Sequence, residues 1–393
     1  FSKIYHMKNI KKDVVTVLKK VLKKKTSLHS PYFFNGELEE VKKCIKSTYI
    51  SSRGKYVKEF EKELGKIIKS KYVVAVNSGT SAIEIALRVI GVSSNDEVLV
   101  PSLTFVASVN AISYCGATPH FIDSSLQNLG IDADKLESYL SKNTYKKGSF
   151  FFNKKTKKRI FALMPVHVFG FPSLMSKIIQ IAKNYNLKII EDSTEGLGSK
   201  YYGKHVGTLG DIGTFSFNAN KIITTGGGGA IVTNNKKFYK KALHLSSTSK
   251  VDHPWKYLHD QIGWNYRMPA LNASLGLNQL RNFKKILMKK RKIAKNYQEC
   301  FEQTRIHFKM EEKNTEANYW LNTIILNENN MKKRDEIISF CNKKGFNCRP
   351  AWNLISEMKI YNKCPRADLK NAKILLNKII NLPSGVDILK NED

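Results

Sequence analysis

From Tyr72 to Asp192 the chain alternates short β-branched runs with helical runs, and this order limits the fold more than any other feature. Strands are expected at residues 72–76, 97–101, 118–123, 160–166 and 188–191, the last ending at Asp192. Helical spacing fills the intervals at 82–90, 105–114, 132–140 and 174–185. Repeated β-α-β order predicts an α/β fold, with a mostly parallel sheet covered by helices on both faces. One exception is a hairpin, residues 150–153 and 160–166 joined by the basic turn 154–158. Ligands of such sheets bind beyond the carboxyl ends of the strands, where Thr80, Ser81 and Asp192 fall.

The pattern continues with a strand at 230–233, a helix at 236–245, a polar aromatic loop at 246–264 and a long helical region from Pro269. From about Phe308 it changes to short strands and helices. Three parts are expected: a basic N-terminal helix in 1–30, a large domain over 31–268 and a smaller α+β domain over 269–393. In the first, Ile10, Val14, Val17, Leu18, Val21 and Leu22 share one face of a helix over 7–25, with lysines opposite. Such a helix packs on the body or a partner, or lies on a membrane surface.

Lysine and arginine exceed acidic residues by 33 charges. The lysines are scattered rather than gathered in one arm, which weakens a nucleic-acid reading and suits an anionic small substrate. No run is apolar enough to span a bilayer, and the start lacks a secretory signal pattern, so a cytoplasmic protein is expected. Six cysteines without a CxxC pair predict reduced thiols, with no metal and no disulfide.

Lys221 stands in Ser216-Phe217-Asn218-Ala219-Asn220-Lys221, just before Gly226 to Gly229. A lysine in dry surroundings can offer a neutral amine to an aldehyde, the chemistry of a Schiff-base lysine. Taken alone, the stretch reads equally well as an exposed loop lysine beside a glycine turn. Asn77-Ser78-Gly79-Thr80-Ser81, between a strand and a helix, is either an anion site or a plain N-cap.

Asn77-Ser78-Gly79-Thr80-Ser81-Ala82, Glu191-Asp192, Ser216 and Asn220-Lys221 together resemble a fold type I pyridoxal-phosphate transferase. More narrowly they resemble the DegT/DnrJ/EryC1/StrS nucleotide-sugar aminotransferases. Supporting stretches are 96–101, 165–170, 263–268 and 381–384. Residues 51–57, the basic hairpin, His253-Pro254 and 259–263 are similar to the LegC-type enzymes of legionaminic acid synthesis.

The resemblance implies pyridoxal 5'-phosphate held by Lys221, with Asp192 at its pyridine nitrogen and Phe105 on its ring face. It implies Thr80, Ser81 and Ser216 at the phosphate, and Asn265 reaching that phosphate from the other subunit of a homodimer. Tyr361 falls on the substrate side, and His167 is either on the substrate side or a satisfied buried histidine. Glu195 departs from the family's usual glutamine at the cofactor's phenol oxygen. The implied reaction moves an amino group from L-glutamate to a nucleotide-linked 4-keto-6-deoxy sugar, an N-acetylhexosamine in the LegC-type case. Amination at C3 of a dTDP-linked sugar is the runner-up. A basic protein on the same fold that binds nucleic acid or a membrane surface without catalysis is the rival outside enzymes.

Overall fold

Strands form where the alternation placed them, because β-branched residues pack well on a pleated surface buried on both faces. The computed structural model describes residues 2–23, 26–52 and 54–388. Lys24 and Lys25, in the expected N-terminal helix, and Arg53 lie outside the described residues.

Three helices come first, α1 (Ser2–Val21), α2 (Gly36–Lys46) and α3 (Lys55–Ile68). The alternating region follows as β1 (Tyr72–Val76), α4 (Gly79–Ile90), β2 (Asp96–Pro101), α5 (Val106–Tyr114), β3 (Thr118–Ile122) and α6 (Ala133–Asn143). It goes on through β4 (Thr144–Lys147), β5 (Phe150–Asn153), β6 (Arg159–Leu163), α7 (Met175–Asn184) and β7 (Lys188–Asp192). Next come β8 (Lys200–Tyr201), β9 (Lys204–His205), β10 (Ile212–Ser216), β11 (Gly229–Thr233), α8 (Lys236–Ser246), β12 (Lys250–Val251) and β13 (Leu258–His259). After α9 (Ala270–Arg281) and α10 (Phe283–Phe301), the chain ends with β14 (His307–Phe308), β15 (Thr315–Glu316), β16 (Asn322–Ile325), α11 (Met331–Lys343), β17 (Arg349–Pro350), α12 (Lys370–Lys378) and β18 (Ile379–Leu382).

The large sheet has the order β1-β11-β10-β7-β6-β2-β3. Its strands from β10 to β3 run parallel, whereas β11 is antiparallel to both neighbours. The sheet is therefore mixed, with a parallel centre. Reversal of β11 puts its first residue, Gly229, opposite Val76 and Ser216, the last residues of β1 and β10. Asp192 ends β7 at the same edge. One rim thus gathers the residues that follow β1, β7 and β10.

The expected hairpin forms between β5 and β6. A further strand, β4, pairs outside it; its sequence, Thr-Tyr-Lys-Lys, carries charge suited to an edge and no strand signal. The long helix expected from Pro269 is two helices. Asn282 donates its side-chain amide to the Asn278 carbonyl at 2.9 Å, closing α9 before α10 starts.

The second sheet, β14-β16-β18-β17, is antiparallel and packs with α11. Helix α9 packs on α2 and α3, whereas α1 packs on α10 and α11. Val14, Val17, Leu18, Val21 and Leu22 of the N-terminal segment are buried. The apolar stripe of α1 thus covers the molecule's own core. Among the described residues no helix is long and apolar enough to cross a membrane. None of the six cysteines is disulfide-bonded.

Candidate active site

A cavity of about 400 Å³ opens at the rim just described. Asn77, Ser78, Gly79 and Thr80 line it from the turn between β1 and α4. Helix α4 starts at Gly79, three residues earlier than expected, so Ser78 is its N-cap and accepts the Ser81 N–H at 3.0 Å. The positive end of the helix dipole therefore faces the cavity. Gly79 must lack a side chain here, since a Cβ would lie 2.8 Å from the Ser216 Cβ and 3.2 Å from the Thr194 Cγ2. Gly229 is confined in the same way, as its Cβ would fall 2.3 Å from the Ser78 carbonyl oxygen.

Asp192 and Lys221 line the same cavity. Asp192 is 1% exposed. Its Oδ2 accepts the Ser108 hydroxyl at 2.6 Å, and its Oδ1 accepts the Thr194 N–H at 3.1 Å and hydroxyl at 2.7 Å. A carboxylate accepts about four hydrogen bonds, so a lone pair remains for a ligand's N–H.

Lys221 is held on two sides. Its Nζ lies 3.3 Å from the Glu195 Oε1 and 4.0 Å from the centroid of the Trp320 ring. A carboxylate and an aromatic face flank the amine. The dry, neutral setting expected around this lysine thus contains a counter-charge. Glu195 is buried, and its Oε2 accepts the Phe169 N–H at 2.8 Å. Burial holds the Glu195 carboxyl above the usual range and the Asp192 charge adds to this, against opposing pulls from Lys221 and the Phe169 N–H.

Phe105 and Ser216 also line the cavity, as expected. The half-exposed Phe105 ring sits 6.3 Å from that of Trp352. Two expectations change, for Ser81 and Tyr361, and His167 takes the buried one of its two readings. The Ser81 hydroxyl turns away into bonds with Asn77 Oδ1 at 2.5 Å and Ser78 Oγ at 2.6 Å, so it does not line the cavity. His167 is fully buried, its Nε2 3.1 Å from Glu191 Oε2 and its Nδ1 accepting the Ser173 N–H. Tyr361 is buried, its hydroxyl 2.6 Å from Asn110 Oδ1 and 3.3 Å from Ser113 Oγ. Neither side chain reaches the cavity, because both have their polar atoms satisfied inside the protein. Asn265 is exposed and lies outside this chain's own cavity, paired along the backbone with Ser247.

Sequence reasoning missed Ser108, Thr194, Trp320 and Trp352. Thr194 had a signal, since a threonine two residues after an aspartate commonly closes a turn on it. Trp320 had none. It is drawn in by Asn318, whose Oδ1 accepts the Trp320 N–H at 2.7 Å and whose Nδ2 donates to the Glu195 and Leu197 carbonyls at 2.8 Å. Lys290 Nζ donates to the Trp320 carbonyl at 2.9 Å, and the indole N–H donates to the Asn220 carbonyl at 2.7 Å.

An amine, a buried carboxylate with acceptor capacity and a helix N-terminus with hydroxyls face one cavity. These are the groups pyridoxal phosphate requires, so the residues fit it. When bound, the cofactor supplies an electron sink for bond breaking beside an amine.

The comparisons agree with this reading. The family model described as the DegT/DnrJ/EryC1/StrS aminotransferase family matches residues 33–393. The GDP-perosamine synthase of Escherichia coli O157:H7 is 38% identical over 336 residues, covering 86% of this chain and 87% of that protein. The UDP-4-amino-4,6-dideoxy-N-acetyl-beta-L-altrosamine transaminase of Campylobacter jejuni is 33% identical over 268 residues, covering 68% and 67%. Spr1654 of Streptococcus pneumoniae in its PLP form superposes with a TM-score of 0.83 at 25% identity, covering 94% and 95%. The chain belongs to the DegT/DnrJ/EryC1/StrS aminotransferase family of pyridoxal-phosphate-dependent enzymes.

Proposed function

We propose that this chain moves an amino group from L-glutamate to C4 of a nucleotide-linked 4-keto-6-deoxy sugar, as a cytoplasmic homodimer. The observation that carries this is the shared cavity of Lys221 and Asp192, with the aromatic side chains of Phe105, Trp320 and Trp352 in its walls. Lys221 bonds the cofactor and moves the proton at the reacting carbon. Asp192, fixed by Ser108 and Thr194, holds a proton at the pyridine nitrogen. Thr80, Ser216 and the first turn of α4 take the phosphate. Phe105 covers one face of the ring.

Likeness to a GDP-perosamine synthase makes a GDP-linked sugar the first to test. Likeness to a transaminase named for a UDP-linked 4-amino-4,6-dideoxy sugar supports C4 and keeps an N-acetylhexosamine of the legionaminic acid type as the second. The dimer is supported by the exposure of Asn265 outside its own cavity and by exposed Leu38, Ile45, Tyr49, Trp255, Tyr257 and Ile262. In it, Asn265 of each copy reaches the other's phosphate.

The test is turnover with a panel of GDP-, UDP- and dTDP-linked 4-keto and 3-keto sugars. A 4-amino product, with a visible absorption band that Lys221→Ala abolishes and glutamate bleaches, is expected. A product aminated only at C3 replaces the regiochemistry. Absence of the band after incubation with cofactor overturns the enzyme reading.

A further inference from the structure

Glu195 is the one ionisable partner of the Lys221 amine in the hydrogen bonds described, and both side chains are largely withdrawn from solvent at the wall of the cavity. The two side chains are 3% and 12% exposed. The aspartate that completes the site, Asp192, has its own donors in Ser108 and Thr194. Glu195 has a single other donor, the Phe169 N–H on Oε2. Its Oε1 faces only the lysine among these bonds. If Lys221 gave up its charge, a Glu195 carboxylate would be left buried, uncompensated and close to a second carboxylate.

Charge accounting in a largely buried pair favours neutral species over lone ions. An ammonium beside a carboxylate and an amine beside a carboxylic acid have the same total charge. The change from one to the other needs no proton from solvent. The amine reacts only in its neutral form. We infer that Glu195 takes the proton Lys221 must lose before its nitrogen can bond the cofactor, stores it while that bond lasts, and returns it on release. This rests on the reading that Lys221 is the cofactor's lysine.

The step balances. The Lys221 ammonium gives one proton to Glu195 Oε1, leaving a lone pair on Nζ. That pair attacks the aldehyde carbon; a carbon–nitrogen bond forms, and the aldehyde oxygen leaves as water with the two remaining N–H protons. Glu195 stays a neutral acid, its Oε2 still held by the Phe169 N–H, and its O–H is free to donate into the cavity. The family's usual glutamine can donate there too, but it cannot carry a proton. Burial already biases Glu195 toward its acid form, and the neighbouring Asp192 charge acts in the same direction. His29 is held well below the usual histidine range by burial, and then by the charges of Lys290 and Lys221. The Trp320 ring carries no titrating group.

An internal proton exchange has a pH signature. The fraction of the pair present as amine and acid does not depend on pH while the pair holds one shared proton. At saturating cofactor, the first-order rate of bond formation in the full-length, cofactor-free chain is therefore flat from about pH 6 to pH 9. Glu195→Gln must lose its proton to solvent, so its rate rises roughly tenfold per pH unit across that range. Glu195→Asp restores part of the flat region. Stopped-flow absorbance reads the rate, and borohydride reduction followed by mass spectrometry identifies the labelled residue. Wild type and Glu195→Gln with the same profile overturn the proposal while leaving the function intact. A steep wild-type profile overturns it without any variant. No label on Lys221 in the wild type overturns both.

Discussion

The indole of Trp320 covers the Lys221 amine at 4.0 Å and, through its N–H, ties the carbonyl of the preceding residue, Asn220, at 2.7 Å. One side chain thus holds both the charge and the backbone of the reactive lysine. Trp320→Phe keeps a ring for the charge and loses the hydrogen bond. It should weaken pyridoxal phosphate binding by about 1 kcal/mol, roughly fivefold. Trp320→Leu loses both contacts and should cost about 2 to 3 kcal/mol. Spectrophotometric titration of the cofactor-free chain measures each. Equal affinity in Trp320→Leu and wild type would dismiss the clamp.

Ser108 donates to Asp192 inside a buried site. A hydrogen bond to a buried charge contributes about 1.5 to 3 kcal/mol. Ser108→Ala should therefore lower cofactor affinity roughly tenfold to a hundredfold by the same arithmetic. The expected spectrum is unchanged in position but reached only at higher cofactor concentration.

Gly79→Ala forces a Cβ against Ser216 and Thr194. Overpacking of this kind costs about 1 to 3 kcal/mol. The urea midpoint should fall, and the loss should be smaller in the Gly79→Ala, Ser216→Gly double variant than in Gly79→Ala alone. Strict additivity of the two changes would mean that the approach of α4 to β10 is not what requires glycine.

Burial holds His205 down to about 4, with the Val206 carbonyl and the Glu191 charge pulling the other way. Its Nε2 accepts the Gly198 N–H at 2.7 Å, so its Nδ1 carries the proton that faces the Val206 carbonyl. An unfolded histidine protonates near pH 6.5, so between these values the unfolded chain binds more protons. Stability is then complete above about pH 6.5 and falls as pH drops toward 4, by about 3 kcal/mol in all. Denaturation midpoints from pH 7 to pH 4 should show that slope, and His205→Gln should flatten it.

The parts of this fold legible in the sequence are those whose signal is local. Parallel strands β2, β3, β6 and β7 announced themselves as apolar runs between helices, because each is buried on both faces. Asp192 and Lys221 were legible by resemblance, and the rim formed by β1, β7 and β10 explains why distant stretches share a cavity. Ser81 was misread because the first helical residue is Gly79, which makes Ser78 the cap and turns Ser81 inward. Tyr361 looked like a substrate group and His167 like either a substrate group or a buried histidine, since a sequence does not reveal that Asn110 and Glu191 already satisfy them. Trp320 was beyond reach, since its bond to Asn220 joins residues 100 positions apart in the chain.

Helix α1 finds its seat on α10 and α11, and the Lys23 N–H donates to the Ile388 carbonyl at 2.9 Å. This segment is therefore synthesised well before the elements that bury it. Its valines and leucines stay exposed to water until some three hundred further residues have emerged, a long-range closure that should be slow and open to chaperone capture. Refolding should accordingly show a late phase in which the start of the chain gains protection from proteolysis after the central sheet has formed.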